Sequence, residues 1–266
     1  MRRLSVPLAL LLAVVTACGT APARLVLGTT HTVEDSGLLE TLTASFNSAA
    51  TGHRLSVVVA GSGEILTLAR NGDLDVLLTH SPDDESAFIA AAHGESRQPV
   101  MHNDFVIVGP VLDPARVAAA ADAPAGLLAI ERARAPFVSR GDDSGTHRME
   151  RSLWAHAHEL PDWPGYVEAG VGMADALRLA QQRRAYLLSD RATYERLRAE
   201  LPELRIVHEG DRRLRNQYSV IVVHAARNAD GARAFAEWIR SAAAQELILR
   251  HGTDAQGRPL FTPDAR

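Results

Sequence analysis

The chain has 266 residues, with 28 basic side chains against 32 acidic ones, a formal net charge of −4 and 46% hydrophobic residues. That balance excludes a surface with broad attraction for nucleic acid or anionic lipid, so an anionic ligand must be held by local geometry. Every basic residue in that count is arginine, which also excludes a lysine Schiff base and a P-loop.

At the start, Arg2 and Arg3 precede an apolar run from Leu8 to Val15. A charged start followed by a short hydrophobic segment reads as an export signal, too short for a permanent membrane span. Its ending, Val15-Thr16-Ala17-Cys18, resembles the bacterial lipobox, and Cys18 is the only cysteine. Residues 1–18 are therefore expected to form a lipoprotein signal and lipidation site, and 19–23 a tether. A plain secretory peptide cleaved near Ala17 or Ala21 is the alternative. The remainder suits one large domain or two lobes sharing a cleft.

Arg24 to Gly28 reads as a buried strand, followed by the polar loop Thr29 to Ser36 and a helix over 36–50 with Leu38, Leu39, Leu42 and Phe46 on one face. Leu55 to Ala60 is a second strand, and Gly61-Ser62-Gly63 opens a helix that stops at Asn71-Gly72. Leu74 to Leu78 is a third strand, with a helix around Glu85 to Ala92. Such alternation implies parallel β-α-β units. Phe105 to Val108 is a strand leading to Gly109-Pro110. The alanine-rich Val117 to Ile130 is expected to be helical with a break near Pro124. Phe137-Val138 runs into Ser139 to His147 and a helix with Met149, Leu153 and Trp154. Gly170-Val171-Gly172 precedes a helix beginning near Met173. Ala185 to Leu188 and Tyr218 to Val223 are further strands, and Ala232 to Leu249 is expected to be one long helix. This pattern predicts an α/β fold of two lobes: 24–110 with 217–266, and 111–216, hinged near Gly109 and Asn216.

Three loops share one design, in which a strand ends and a helix begins among hydroxyls and glycines: Thr29 to Ser36, Gly61 to Gly63, and Ser139 to Thr146. Gly170 to Gly172 could supply a fourth. Helix N-termini leave N–H groups unpaired and carry the positive end of the helix dipole, so they suit an anion. For any one such loop, simple helix capping is the commoner reason for its Ser or Thr. Arg140 adds a cation able to hold two oxygens in a fork, with Asp142 and Asp143 expected to face it or to cap the next helix. No nucleophile–base pair and no metal-ligand histidine set is visible, which leaves an exported hydrolase as a poorly supported alternative.

Several segments together resemble the substrate-binding proteins of tungstate ABC transporters. They are Gly28-Thr29-Thr30 with Glu34 to Leu39, Asn71 to Leu78, Met101 to Pro110, Phe137 to His147, Asp190 to Tyr194, and Arg215 to Tyr218. The resemblance implies a two-lobed type II periplasmic-binding-protein fold, closure about a hinge, and delivery of the ligand to an ABC permease. It also implies that Thr30, Arg140 and Thr146 lie at the oxyanion, with Thr29 and Ser62 nearby. Loops and resemblance together give an expected donor set of Thr29, Thr30, His31, Ser62, Arg140, Ser144, Thr146, Gly172 and Met173. The family usually continues its first loop Thr-Thr-Thr-Ser, whereas His31 and Thr32 stand here. The expected ligand is tungstate or molybdate with no cofactor and no resident metal, and the protein is expected to be a monomer touching membrane only through its lipid. Phosphate is the leading alternative anion; it retains a proton at neutral pH and needs a carboxylate acceptor, a part open to Asp142 or Asp143.

Overall fold

In a computed structural model, residues 21–49, 51–157 and 161–265 are described, so Cys18 and the signal segment lie outside them. The chain opens with β1 (Ala23–Thr29), α1 (His31–Asp35), α2 (Leu38–Ser48), β2 (His53–Val59), α3 (Ser62–Arg70), β3 (Val76–Thr79) and α4 (Pro82–Ala90). β2 and β3 flank β1 in parallel, with Thr29 level with both Val59 and Leu78. Three strands thus end at one edge, and the segments that follow them, at Thr30, Ser62 and His80, are neighbours. The polar loop expected over Thr29 to Ser36 is instead largely a helical turn. Gly37, at φ 81°, separates it from α2.

β4 (Gln98–Pro110) is thirteen residues long and serves both lobes. Its first half pairs antiparallel with β9 (Arg215–Val222), in the first sheet. Phe105 to Pro110 pair instead with β7 (Leu187–Asp190) and β8 (Leu204–His208). Phe105, Ile107, Val106 and Val108 pack into the second lobe's cores. The change of lobe therefore falls near Asp104, several residues before the division drawn at Gly109, because the strand continues unbroken through it. Register shifts between Pro99 and Met101 and between Ile107 and Val108 bracket the crossing.

The second lobe also holds α5 (Ala123–Arg132), β5 (Phe137–Ser139), α6 (Gly145–His156), β6 (Tyr166–Glu168), α7 (Met173–Arg183) and α8 (Arg191–Leu197). The helical stretch expected over 117–130 is broken just before Pro124, into a 3-10 turn (Val117–Ala119) and α5. Pro124 sits in the first turn of α5, where its missing N–H costs nothing, and Asp122 caps that turn through Ala125 N at 2.9 Å. β5 and β6 are parallel neighbours, so the loops after Ser139 and Glu168 lie side by side. The chain then returns through β9 to α9 (Ala229–Ile239), α10 (Ala242–Leu249) and β10 (Thr262–Pro263). The single C-terminal helix expected over 232–249 is two, since Ser241 takes extended backbone and its hydroxyl caps α10.

Two cores cover the faces of the first sheet, one built on Phe46, Phe235 and Leu25 and the other on Ile65, Leu77 and Phe88. Burying side chains of this size contributes roughly 1.5–3 kcal/mol each before the entropy of ordering is counted.

Candidate oxyanion site between the lobes

The lobes meet where the strand ends of each sheet face one another. From the first lobe come Thr30, Ser62 and His80. From the second come Arg140, Thr146 and the loop Gly170–Gly172. Gly170 N donates to Arg140 O at 2.7 Å, and Arg140 Nε donates to Val171 O at 3.3 Å, which ties the two second-lobe loops together. A Cβ on Gly61 would lie 3.7 Å from Asp142 O, so the first lobe's α3 entrance abuts the second lobe's loop. A cleft of about 340 Å³ opens there, lined by His31, Gly61, Gly63, Glu64, Asp142, Asp143 and Gly170 to Gly172.

Beneath the cleft lies a set of polar groups of one kind. Thr30, Ser62, Arg140 and Thr146 are at most 3% exposed, and among the described residues Thr30 Oγ1, Ser62 Oγ, Arg140 Nη1 and Thr146 Oγ1 have no hydrogen-bond partner. A buried donor without a partner costs about 1–3 kcal/mol, so four on adjoining loops mark a place built for an acceptor-rich guest. The hydroxyls of Thr30 and Ser62 do not cap their own helices, which removes the ordinary reason for finding them there. The first N–H groups of α1, α3, α6 and α7 add donors with no acceptor inside their helices.

Other expected donors have different duties. Thr29 Oγ1 donates its proton to Leu78 O at 2.8 Å, stitching β1 to β3, so it has none to offer a ligand. Ser144 Oγ caps α6 by accepting from His147 N at 3.3 Å. Met173 buries its side chain in the second lobe's core and offers only its backbone N–H, with Gly172 as the N-cap of α7. His31 begins α1 at the rim of the cleft, 42% exposed, with Nδ1 3.5 Å from Glu34 Oε2. Of the two loop carboxylates, Asp142 pairs with Arg140 Nη2 and accepts from Ser144 N, and Asp143 holds Arg148 at 2.6 Å.

Sequence reasoning missed His80, although Leu78-Thr79-His80-Ser81 repeats the strand, hydroxyl and helix design of the other loops. Asn216 Nδ2 donates to Asn103 Oδ1 (2.8 Å) and Tyr218 OH (3.0 Å), so Asn216 Oδ1 faces His80 Nδ1 at 2.8 Å and assigns the proton to that nitrogen. Burial lowers the imidazole to about 4, aided by the charge of Arg140 and opposed by the Asn216 bond. Asp190, also missed, is fully buried. Burial pushes its carboxyl up to about 6, while Thr193 and Arg140 pull down and Asp35 pushes further up. Burial raises Asp35 as well, against the Ala174 amide, Arg140 and His31. Arg140 is thus the central charge of the interlobe region.

A curled mixed sheet shared by two lobes, with helix N-termini and one buried arginine facing a cleft, defines a type II periplasmic binding protein. The sequence matches the PBP superfamily domain over residues 16–243. It is 43% identical over 251 residues to the tungstate-binding protein TupA of Peptoclostridium acidaminophilum, covering 92% of this chain and 87% of that one. Among solved structures it is similar to the tungstate-binding protein TupA from Desulfovibrio alaskensis G20 (TM-score 0.77, 39% identity, 92% of this chain and 100% of that one). It is likewise similar to the tungstate ABC transporter protein from Geobacter sulfurreducens (TM-score 0.78, 37% identity, 86% and 99%). The chain belongs to the family of tungstate-binding proteins of ABC transporters.

Proposed function

We propose that this protein captures tungstate outside the cytoplasm and delivers it to an ABC permease, as a monomer held to the membrane by lipid on Cys18. The observation that carries the reading is the set of four buried, unpartnered donors on Thr30, Ser62, Arg140 and Thr146. Together with the helix N-termini they form a donor-rich site suited to a fully deprotonated tetrahedral dianion. Arg140 contributes Nη1 while Nε and Nη2 anchor it in place. His31 and Gly172 lie at the entrance, and Ser144 and Met173 contribute through the α6 and α7 N-termini. Asp142 pairs with Arg140 and Asp143 with Arg148, and among the described residues neither offers a buried, unpartnered oxygen to the proton that phosphate retains.

Calorimetric titration of the protein with tungstate, molybdate, phosphate and sulfate at fixed salt tests this. Tight one-to-one binding of tungstate, lost in Arg140→Ala, is the expected result. Preference for phosphate, or silence for all four anions with a folded protein, would reject it.

A further inference from the structure

Asp190 stands at the end of β7 and caps α8, with no solvent exposure. Its Oδ1 has two partners, Thr193 N at 2.9 Å and Thr193 Oγ1 at 3.0 Å. Its Oδ2 is buried and has none among the described residues. An ionised carboxylate that uses only one oxygen is poorly solvated, and a proton on Oδ2 removes most of that cost. The charged and titratable groups that face it come from three elements: Asp35 at the end of α1, Arg140 after β5, and Tyr218 on β9. Beyond Tyr218, the His80 ring is stacked on it at 4.8 Å. Arg191, next in sequence, is turned away onto Asp104 and Glu209. Arg140 is therefore the one cation among these groups that favours the ionised form of Asp190.

That cation is also the one assigned above to the oxyanion. Burial and the two Thr193 bonds act on Asp190 more strongly than Arg140 does. A dianion seated on Arg140 nevertheless both offsets that cation's pull and adds negative charge beside a carboxylate whose second oxygen is already buried without a partner among the described residues. We propose that Asp190 takes up a proton from solvent as the anion binds, so that each dianion is captured together with one proton. The inference rests on the oxyanion reading of the site. Burial has already pushed the Asp190 carboxyl up to about 6, so a modest further push suffices near neutrality. His80 begins near 4 and would need a far larger one. By linkage, affinity rises as pH falls from 8 towards 6 and levels off below, where the free protein already holds the proton.

The test is calorimetric titration with sodium tungstate at pH 7 in PIPES, HEPES and Tris, whose different ionisation heats report proton uptake. The expected uptake is about 0.5–1 proton per anion. In Asp190→Asn, whose side chain keeps an oxygen for Thr193 and supplies a permanent donor in place of the acid, uptake vanishes and affinity becomes flat from pH 6 to 8. His31→Thr, which removes the imidazole at the rim, keeps the uptake. Tight binding by the wild type with no uptake overturns the inference and leaves the oxyanion reading standing. Uptake that persists in Asp190→Asn, or that disappears in His31→Thr, assigns the proton elsewhere and overturns it equally. Failure of the wild type to bind tungstate at all overturns both.

Discussion

The ring of His80, in the first lobe, occupies the space beside Gly145, in the second, so closely that a Cβ at position 145 would lie 2.7 Å from Cε1. The ring cannot retreat, because Asn216 holds Nδ1 and Tyr218 stacks on its face. Position 145 is the first residue of α6, next to Thr146. Gly145→Ala is expected to hold the lobes apart rather than unfold either one. Overpacking of this size costs about 1–3 kcal/mol, so tungstate affinity should fall roughly tenfold or more while the melting temperature without anion moves little. Calorimetry beside a thermal melt checks it; a lowered melting temperature with unchanged affinity would contradict it.

The four unpartnered donors should differ in weight. Thr30→Ala, Ser62→Ala and Thr146→Val each remove one hydroxyl donor to a charged anion, expected to weaken binding by about 1.5–3 kcal/mol. Arg140→Lys removes the fork, its Val171 bond and the Asp142 pairing, and leaves the part-exposed Asp142 carboxylate beside the anion without its arginine. A loss of about 2–5 kcal/mol should follow. Thr29→Val should spare affinity and instead lower stability, since that hydroxyl serves Leu78. Parallel titration and denaturation of the five variants separates the two effects.

Arg148 on α6 grips Asp84 on α4 and Asp143 in its own lobe, forming a clasp across the cleft. Both ends are roughly one-quarter to one-third exposed, so the pair is worth only about 0.2–1 kcal/mol. It exists only while the lobes meet, and should therefore appear in the rate of anion release. Arg148→Ala and Asp84→Asn are expected to speed release a few-fold each and to be non-additive in a double-mutant cycle. Stopped-flow release at low and high salt measures this, with the wild-type rate rising with salt and the double variant's rate insensitive to it.

Stability should carry its own pH signature, separate from binding. Burial pushes Glu150 up to about 7, despite the bond it accepts from Tyr166 OH at 2.7 Å. Its folded value lies above the unfolded one, so the native state holds more protons from about pH 4.5 to 7. Stability attributable to this group falls across that window as pH rises and stays low above it. Glu150→Gln, which still accepts from Tyr166, should remove the penalty, raising stability at pH 8 by at most roughly 3 kcal/mol and hardly at all at pH 5. Denaturant unfolding at the two pH values decides it.

Much of the first lobe is legible in its sequence, because apolar strands such as Leu25 to Leu27 and Leu74 to Leu78 alternate with glycine-punctuated helices. Thr30, Ser62 and Arg140 stand within three residues of a strand end and Thr146 in the first turn of α6. The strand-to-helix loops draw attention to these segments, and the family resemblance singles out the residues. His80 and Asp190 were not legible, since their character comes from distant partners. Asn216, which fixes the His80 tautomer, lies 136 residues away, and Asp190 looks like an ordinary helix cap until its second oxygen proves to be buried. The division at Gly109 failed differently. Glycine and proline usually interrupt a strand, but here β4 needs a residue without a side chain, as a Cβ at Gly109 would collide with the Tyr186 ring at 2.3 Å.

That continuous strand also decides what kind of movement can admit a ligand. A hydrogen-bonded ribbon resists stretching and sliding, since either would break its ladders with β9, β7 and β8, but it yields to twist. Its two register irregularities, on either side of Asp104, are where the ladder is already imperfect. Twist about β4 is therefore the movement this connection accommodates best, with the lobes set like two vanes on one shaft and the donors of both sides facing the same cleft.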